Sequence, residues 1–155
     1  MIPYSRQFID KKDIKVVNKV LKSDFITQGK YNEKFENEIC QKLKSKYAIL
    51  TNSATSALHV SCLALGLSKN DIFWTVPNTF VASANVGLLC GARVDFVDID
   101  PHTLNISIIE LEKKLIKSKK NNTLPKIIIP VHFGGQATIQ EKIWKLSKEY
   151  NFKII

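Results

Sequence analysis

Short continuous apolar runs alternate with helical patterns along the whole 155-residue chain. Runs such as "IFWTVP" (72–77) and "KIIIPVH" (126–132) are typical of strands that a parallel sheet buries on both faces. Between the runs, apolar residues recur at helical spacing, and Gly66 and Gly91 follow two of these patterns as helix stops. The order of elements therefore predicts an α/β fold, a mainly parallel sheet with helices on both faces.

The individual elements follow from local patterns. An N-cap at Asp10 begins the first helical stripe, and a capping box at Ser107–Glu110 begins a later one. The predicted helices are 14–21, 31–43, 54–65, 81–90, the helix that carries Leu111 and Leu115, and 139–150. The predicted strands are 46–51, 72–77, 93–99, 126–132 and 152–155, with a loop at 133–136. Because the last strand begins at the final residues, we expect the chain to be the front part of a longer domain.

Composition limits the function classes. The chain is 45% hydrophobic and 24% charged, as soluble globular proteins are, and it has no apolar run long enough to cross a membrane. Its net charge is +9, but the lysines are spread along the chain, with the densest group (113–120) at a predicted helix end. A solvated basic surface is therefore favoured over a nucleic-acid-binding module, which stays a weaker alternative.

The cysteines and the N-terminus predict the compartment. Cys40, Cys62 and Cys90 are far apart, odd in number and without metal-ligand spacing. We interpret them as buried free thiols, and we predict no metal site. The first 13 residues contain no apolar signal core. Both features favour a cytoplasmic protein.

Small polar residues mark one strand-to-helix junction. In "TNSATSALHV" (51–60), small and hydroxyl-bearing residues come at the start of a predicted helix. A helix start offers unpaired N–H groups and the positive end of the helix dipole, which suit a phosphate. Simple N-capping by Asn52 or Ser53 explains the stretch equally well from these residues alone.

A second junction favours a ligand. In "WTVPNTFVASAN" (74–85), a strand, Pro77 and a polar turn lead to Phe80 and a helix of small residues. The first junction would hold a phosphate and the second would stack on a flat ring. Core packing of Phe80 is the alternative.

Four segments in order resemble the DegT/StrS-type sugar aminotransferases. They are "SDFITQGKYNEKFE", "YAILTNSATSALH", "PNTFVASAN" and "GARVDFVDIDPHTLNI", and the resemblance covers essentially the whole chain. It implies the large domain of a fold-type I aminotransferase, here incomplete, that uses pyridoxal 5′-phosphate (PLP).

The resemblance also implies roles for particular residues. The backbone at Ala54 and Thr55 would bind the PLP phosphate, and Phe80 would stack on the pyridine ring. The residues expected to contact a nucleotide sugar, within the N-terminal segment 1–30, are Tyr4, Asp24, Phe25, Ile26 and Thr27. His132 and Gln136 would lie at a strand end near the cofactor, in roles that the resemblance leaves open.

The implied reaction transfers an amino group from an amino acid, by resemblance glutamate, to C4 of a UDP-linked 4-keto-6-deoxy-N-acetylhexosamine. The segments "IPYSRQ", "NSATSALH" and "LCGARVDFVDIDP" favour the branch of the family that serves pseudaminic acid or surface-polysaccharide synthesis. A perosamine-type enzyme and a non-catalytic phosphate-binding domain are the alternatives. A homodimer is also implied.

The family's Schiff-base lysine and pyridinium-binding aspartate match no residue of this chain. In the family both follow a strand like "FKII" (152–155). Lys126 and Lys153 lie at predicted strand starts, the opposite end from the ligand. We therefore expect this chain alone to be inactive.

Overall fold

The computed structural model describes residues 5–155. They form two compact units, of which the first ends at Leu50 and the second covers Thr51–Ile155. Among the residues described, none of the helices has both the length and the apolar character needed to cross a bilayer.

The first unit contains two helices, α1 (Lys11–Leu21) and α2 (Lys30–Leu43). The predicted N-cap at Asp10 is confirmed, because its carboxylate accepts from the backbone N–H groups of Lys12 at 2.7 Å and Asp13 at 3.1 Å. The Asp13 carboxylate in turn accepts from the Asp10 N–H at 2.8 Å, which closes a reciprocal capping box. This box satisfies donors that a helix start otherwise leaves without acceptors.

The prediction of a strand at 46–51 is wrong. No other segment in the described part of the chain forms a backbone ladder with these residues. Tyr47 and Ile49 are 74% and 78% exposed. An apolar run becomes a strand only where a neighbour supplies the hydrogen bonds, and no neighbour among residues 5–155 supplies them here.

The second unit holds a four-stranded, fully parallel sheet in the order β2-β1-β3-β4. Its elements are α3 (Ala54–Ala64), β1 (Ile72–Thr75), α4 (Ala82–Leu89), β2 (Arg93–Phe96), α5 (Ile108–Lys120), β3 (Ile127–Ile128), α6 (Gln140–Tyr150) and β4 (Lys153–Ile154). The predicted parallel α/β fold is confirmed. The observed strands are shorter than predicted, and the predicted loop at 133–136 contains a 3₁₀ turn, Phe133–Gly135.

Successive strand residues face two separate cores. Phe73 and Ile127 are buried in one apolar cluster, and their neighbours Trp74 and Ile128 are buried in the other. The first cluster includes residues of α3 and α4, and the second includes residues of α5 and α6. Because successive side chains of a strand point to opposite faces, the helices cover both faces of the sheet, as the uninterrupted apolar runs predict.

The helix ends follow the predicted chemistry with one exception. Gly66 and Gly91, which follow α3 and α4, have φ values of +75° and +76°, a conformation that favours glycine. Ser107 caps α5 by accepting from the Glu110 N–H at 3.3 Å. The expected return bond does not form, because the Ser107 N–H donates to the Asp98 carbonyl instead, at 2.9 Å.

The three cysteines are free, but only Cys62 is fully buried. Cys40 and Cys90 are partly exposed, so the prediction of three buried thiols is wrong for these two. Burial raises the pKa of the Cys62 thiol to about 11. Cys62 therefore stays protonated at neutral pH and acts as an apolar packing group.

Lys126 joins two loops at the amino-terminal edge of the sheet. Its ammonium donates to the Gly66 carbonyl at 2.6 Å and to the Asp71 carboxylate at 2.9 Å. The predicted position at a strand start is confirmed, since Lys126 directly precedes β3. Lys126 therefore has a structural role at the edge opposite the strand ends.

We expect the stabilising effect of this ion pair to disappear in acid. The hydrogen bond from Lys126 lowers the pKa of Asp71 below its ordinary value of 3.8. The pair's contribution is therefore complete above that value and is lost as the pH falls through the lower native pKa. Urea unfolding of the wild type and of Lys126→Met, from about pH 7 to about pH 3, should give a stability difference that shrinks toward acid. Lys145→Met, which changes an exposed lysine of α6, should show no such pH dependence, and a constant difference for Lys126→Met would contradict the prediction.

Candidate functional site

The carboxyl ends of the parallel strands form one edge of the sheet. At this edge the Thr75 hydroxyl, fully buried at the end of β1, donates to the Ile129 carbonyl just after β3 at 3.0 Å. Parallel sheets bind ligands beyond this edge, where the following helices begin. The turn before α4 and the loop after β3 are therefore held next to each other at the edge expected for a site.

The start of α3 presents two unpaired donors. Ser53 is extended (φ −159°, ψ 157°), and its hydroxyl accepts from the Ser56 N–H at 3.1 Å. The Ser56 hydroxyl donates to the Asn52 side-chain oxygen at 2.8 Å. Within residues 5–155 the N–H groups of Ala54 and Thr55 have no acceptor. Capping thus satisfies one N–H and leaves two for a ligand.

Electrostatics at this turn suit an anion. The first turn of α3 has no acidic residue. The helix dipole adds partial positive charge at the same place. The turn at 52–56 can therefore hold a phosphate as well as cap a helix, so the two alternatives for its small polar residues are compatible.

An open groove joins this turn to the start of α4. The groove has a volume of about 460 Å³ and is lined by Thr55, Phe80, Val81, Ala82, Asn85, Leu88 and Leu89. The Phe80 side chain is 75% exposed, so the core-packing alternative for this residue is wrong. An exposed aromatic ring in the same groove as a phosphate-binding turn is suited to stacking on a flat ring.

The buried residues of α4 pack toward the sheet, and Ala82 among them also lines the groove. Ala82, Ser83, Val86 and Gly87 are buried. Leu88 and Leu89 line the groove as well. The small residues allow α4 to lie close to the strands, and this places Phe80 at the groove.

The residues present fit PLP. The free N–H groups of Ala54 and Thr55 suit its phosphate, and the exposed ring of Phe80 suits its pyridine face. Thr55 and Phe80 line one groove, so the structure brings together two of the three predicted cofactor residues. Ala54 is the direct neighbour of Thr55 on the exposed side of the turn.

The predicted sugar contacts lie in the first unit. Asp24, Phe25, Ile26 and Thr27 form an exposed turn between α1 and α2. The Ser23 hydroxyl braces this turn by donating to the carbonyls of Val20 and Phe25 at 2.7 and 3.0 Å. Tyr4 lies outside the described residues.

His132 is bonded within its own loop. Its Nδ1 accepts from the Thr138 N–H at 3.2 Å, and its Nε2 lies 3.2 Å from the Gln140 side-chain amide. The Gln136 N–H donates to the Phe133 carbonyl at 3.0 Å. Because both ring nitrogens of His132 have partners, this histidine shapes the loop.

Sequence patterns do not reveal two asparagines that connect the loops at this edge. The Asn78 amide donates to the Leu104 carbonyl at 2.8 Å. The Asn105 side chain is hydrogen-bonded to backbone groups of the 132–138 loop. An asparagine beside a strand end could indicate such a connection. Its partners are backbone groups far along the chain, however, and backbone groups cannot be identified from residue types.

A family model matches nearly the whole chain. Residues 7–155 match the DegT/DnrJ/EryC1/StrS aminotransferase family.

The chain matches two curated relatives over its whole length. The chain is 43% identical to the UDP-4-amino-4,6-dideoxy-N-acetyl-beta-L-altrosamine transaminase of Campylobacter jejuni, over 100% of this chain and 40% of the relative. A second strain of the same species has a transaminase of that name at 39% identity, again over 40% of its length. The chain thus spans about two fifths of the length of these curated relatives.

Solved structures have the same fold. PseC of Helicobacter pylori, described as an aminotransferase of pseudaminic acid biosynthesis, matches 98% of this chain with 40% of its own length, at a TM-score of 0.85 and 35% identity. A sugar aminotransferase of Streptococcus pneumoniae in its PLP form matches 98% of this chain with 38% of its own, at a TM-score of 0.86 and 26% identity.

Proposed function

Because this chain belongs to the DegT/DnrJ/EryC1/StrS aminotransferase family, we propose that it forms the phosphate and ring site of a PLP-dependent sugar aminotransferase. Enzymes of this family use PLP. The observation that carries the proposal is the groove shared by Thr55 and Phe80, next to the unpaired N–H groups of Ala54 and Thr55.

Each residue of the groove has a distinct task in this proposal. The two N–H groups bind and orient the phosphate, and the Phe80 ring covers one face of the pyridine and excludes water from it. When bound, PLP supplies an electron sink that allows an amino group to move between an amino acid and a keto sugar.

The proposed sugar is a UDP-linked 4-keto-6-deoxy-N-acetylhexosamine, aminated at C4 with an amino acid, by resemblance glutamate, as donor. The names of the Campylobacter and Helicobacter relatives support this choice. Asp24, Phe25, Ile26 and Thr27 are proposed to contact the nucleotide sugar, together with Tyr4. Their exposed turn leaves these four side chains available for binding.

We include a homodimer in the proposal. Val60 and Leu63 of α3, and Leu88 and Leu89 of α4, are large apolar side chains that are roughly half exposed. Apolar surface of this kind favours association.

Binding of pyridoxamine 5′-phosphate (PMP) tests the site. PMP has the phosphate and the ring of PLP but no aldehyde, so it does not react with the lysines of this basic chain. We expect saturable binding to residues 1–155 that inorganic phosphate competes away. A chain that is folded by circular dichroism but does not bind PMP at millimolar concentration would overturn the proposal.

A chimera tests the reaction. In the Campylobacter transaminase, this chain would replace the segment that it matches. We expect the chimera to transfer an amino group from glutamate to C4 of a UDP-linked 4-keto-6-deoxy-N-acetylhexosamine, which gives a 4-amino sugar of the kind named for the Campylobacter relative. A chimera that folds and binds PMP but acts only on a different 4-keto sugar would contradict the proposed substrate.

Replacing Phe80 with alanine should weaken PMP binding about fivefold, because loss of aromatic stacking removes about 1 kcal/mol. The mutation should leave folding unchanged, since the ring is 75% exposed. Phe8→Ala, which removes an exposed ring in the first unit, is the matched control and should not affect affinity. Fluorescence titration with PMP measures both variants, and equal affinity of Phe80→Ala and the wild type would rule out stacking.

A further inference from the structure

The buried side chain of Asn105 holds the loop at 132–138. Only 5% of Asn105 is exposed. Its amide donates to the carbonyls of Gln136 at 3.1 Å and Ala137 at 3.3 Å, and its oxygen accepts from the Phe133 N–H at 2.9 Å. One side chain thus holds both ends of an otherwise exposed loop.

The preceding residue, Leu104, is hydrogen-bonded to the turn that carries Phe80. The Leu104 carbonyl accepts from the Asn78 amide at 2.8 Å. Asn78 belongs to the turn that carries Phe80, which follows β1. Leu104 and Asn105 are consecutive, so this pair, here called the 104–105 bridge, joins the Phe80 turn to the loop that follows β3.

Backbone strain occurs at Leu104, within the bridge, and at Val131, directly before the loop at 132–138. Leu104 has a φ of +59° and Val131 has a φ of +49°. Positive φ is costly for a β-branched residue and persists only where surrounding contacts hold it. A Cβ at Gly134 or Gly135 would meet no atom within 4 Å, so packing does not fix the middle of the loop. The side chains of Asn105 and His132 therefore determine its position.

We propose that Asn105 is a positioning residue: through the 104–105 bridge it fixes the loop at 132–138 and the Phe80 turn relative to each other, so that the Phe80 ring lies where the cofactor ring binds. The inference rests on the proposed function, and it adds to the site the loop at 132–138, which the 104–105 bridge connects to the Phe80 turn. The phosphate turn at 52–56 has no hydrogen bond to the bridge. The bridge therefore governs ring binding and not phosphate binding.

A double-mutant cycle with PMP tests this role on the whole chain. Asn105→Ala should weaken PMP binding by up to about fivefold, the full effect of removing the Phe80 ring, because a ring that is out of place loses its stacking. It should leave the affinity for inorganic phosphate unchanged. In a Phe80→Ala background the same mutation should have little further effect, because residues that act through one another are not additive.

A second variant cuts the other end of the bridge. Asn78→Ala removes the bond to Leu104 at a partly exposed residue, and it should reproduce the loss of PMP affinity and its dependence on Phe80 even if Asn105→Ala does not fold. Lys126→Met is the matched control, because it removes comparable side-chain bonds to backbone at the opposite edge, and it should leave PMP binding unchanged.

The outcomes separate this inference from the proposed function. A folded wild type that does not bind PMP overturns the proposed function. A wild type that binds PMP overturns the positioning role in either of two cases. In the first, the asparagine variants bind PMP as tightly as the wild type. In the second, the asparagine variants weaken PMP and phosphate binding equally, or they weaken PMP binding to the same extent in the wild-type and the Phe80→Ala backgrounds.

Discussion

Replacing Gly87 with valine should lower the free energy of unfolding by about 3 kcal/mol, the upper part of the range for an overpacked core. A Cβ at Gly87 would lie 2.7 Å from Phe73 Cδ1 and 2.9 Å from Val94 Cγ2. Phe73 is fully buried in β1 and cannot move aside without disturbing the sheet. Valine adds two further methyl groups to a space that does not accept the first carbon.

A graded series tests this explanation. Gly87→Ala should cost only about 1 kcal/mol, because the steric cost is partly offset by the roughly 1 kcal/mol of helix propensity that alanine gains over glycine. Leu88→Val, on the exposed side of the same helix, should change stability by no more than about 0.5 kcal/mol. Urea unfolding measures all three. A Gly87→Val variant as stable as the wild type would show that α4 can move away from the sheet at little cost.

The parallel sheet could be predicted because its signal is local. Phe73 and Trp74 are adjacent, face different cores and are both buried, so both are apolar. Ile127 and Ile128 repeat this pattern in β3. A strand that is buried on both faces can therefore be recognised in the sequence by its consecutive apolar residues.

The failed strand at 46–51 shows where local patterns stop being informative. Tyr47 and Ile49 belong to a run as apolar as β1, yet they are exposed. What distinguishes the two segments is a pairing partner, which lies far along the chain and leaves no mark on the segment itself. The half-formed capping box at Ser107 has the same cause, because its N–H is taken by the distant Asp98 carbonyl.

The candidate site also contains features that local sequence predicts and features that depend on distant contacts. The turns that carry Ala54, Thr55 and Phe80 could be located in the sequence because each consists of consecutive residues, and the family resemblance implies the roles of these three residues. Asn105 could not be predicted in this way, because its partners at Gln136 and Ala137 are 31 and 32 residues away. Contacts within a turn are visible in a sequence, whereas contacts between turns require the fold.

Replacing Ala54 with proline should weaken PMP binding about 100-fold while the chain stays folded. A hydrogen bond to a charged group contributes about 1.5–3 kcal/mol, and the proline ring also occupies space where the phosphate would lie. The helix should tolerate the change, because Ala54 is the first residue of α3 and its N–H has no acceptor among residues 5–155. Ser53 is already extended, the conformation that a following proline requires.

Lys30→Pro is the matched control for this experiment. Lys30 is the first residue of α2 and follows Gly29, which is extended with a ψ of 177°. Both prolines should therefore leave the melting temperature nearly unchanged, and only the one at Ala54 should reduce the affinity for PMP and for inorganic phosphate. If Ala54→Pro melts like the wild type and binds both ligands with undiminished affinity, the polar turn at 52–56 only caps a helix, and the phosphate would have to bind elsewhere. A loss of phosphate binding alongside an intact fold would establish that the N–H groups at the start of α3 bind the phosphate, and that the small residues of the turn keep these groups accessible.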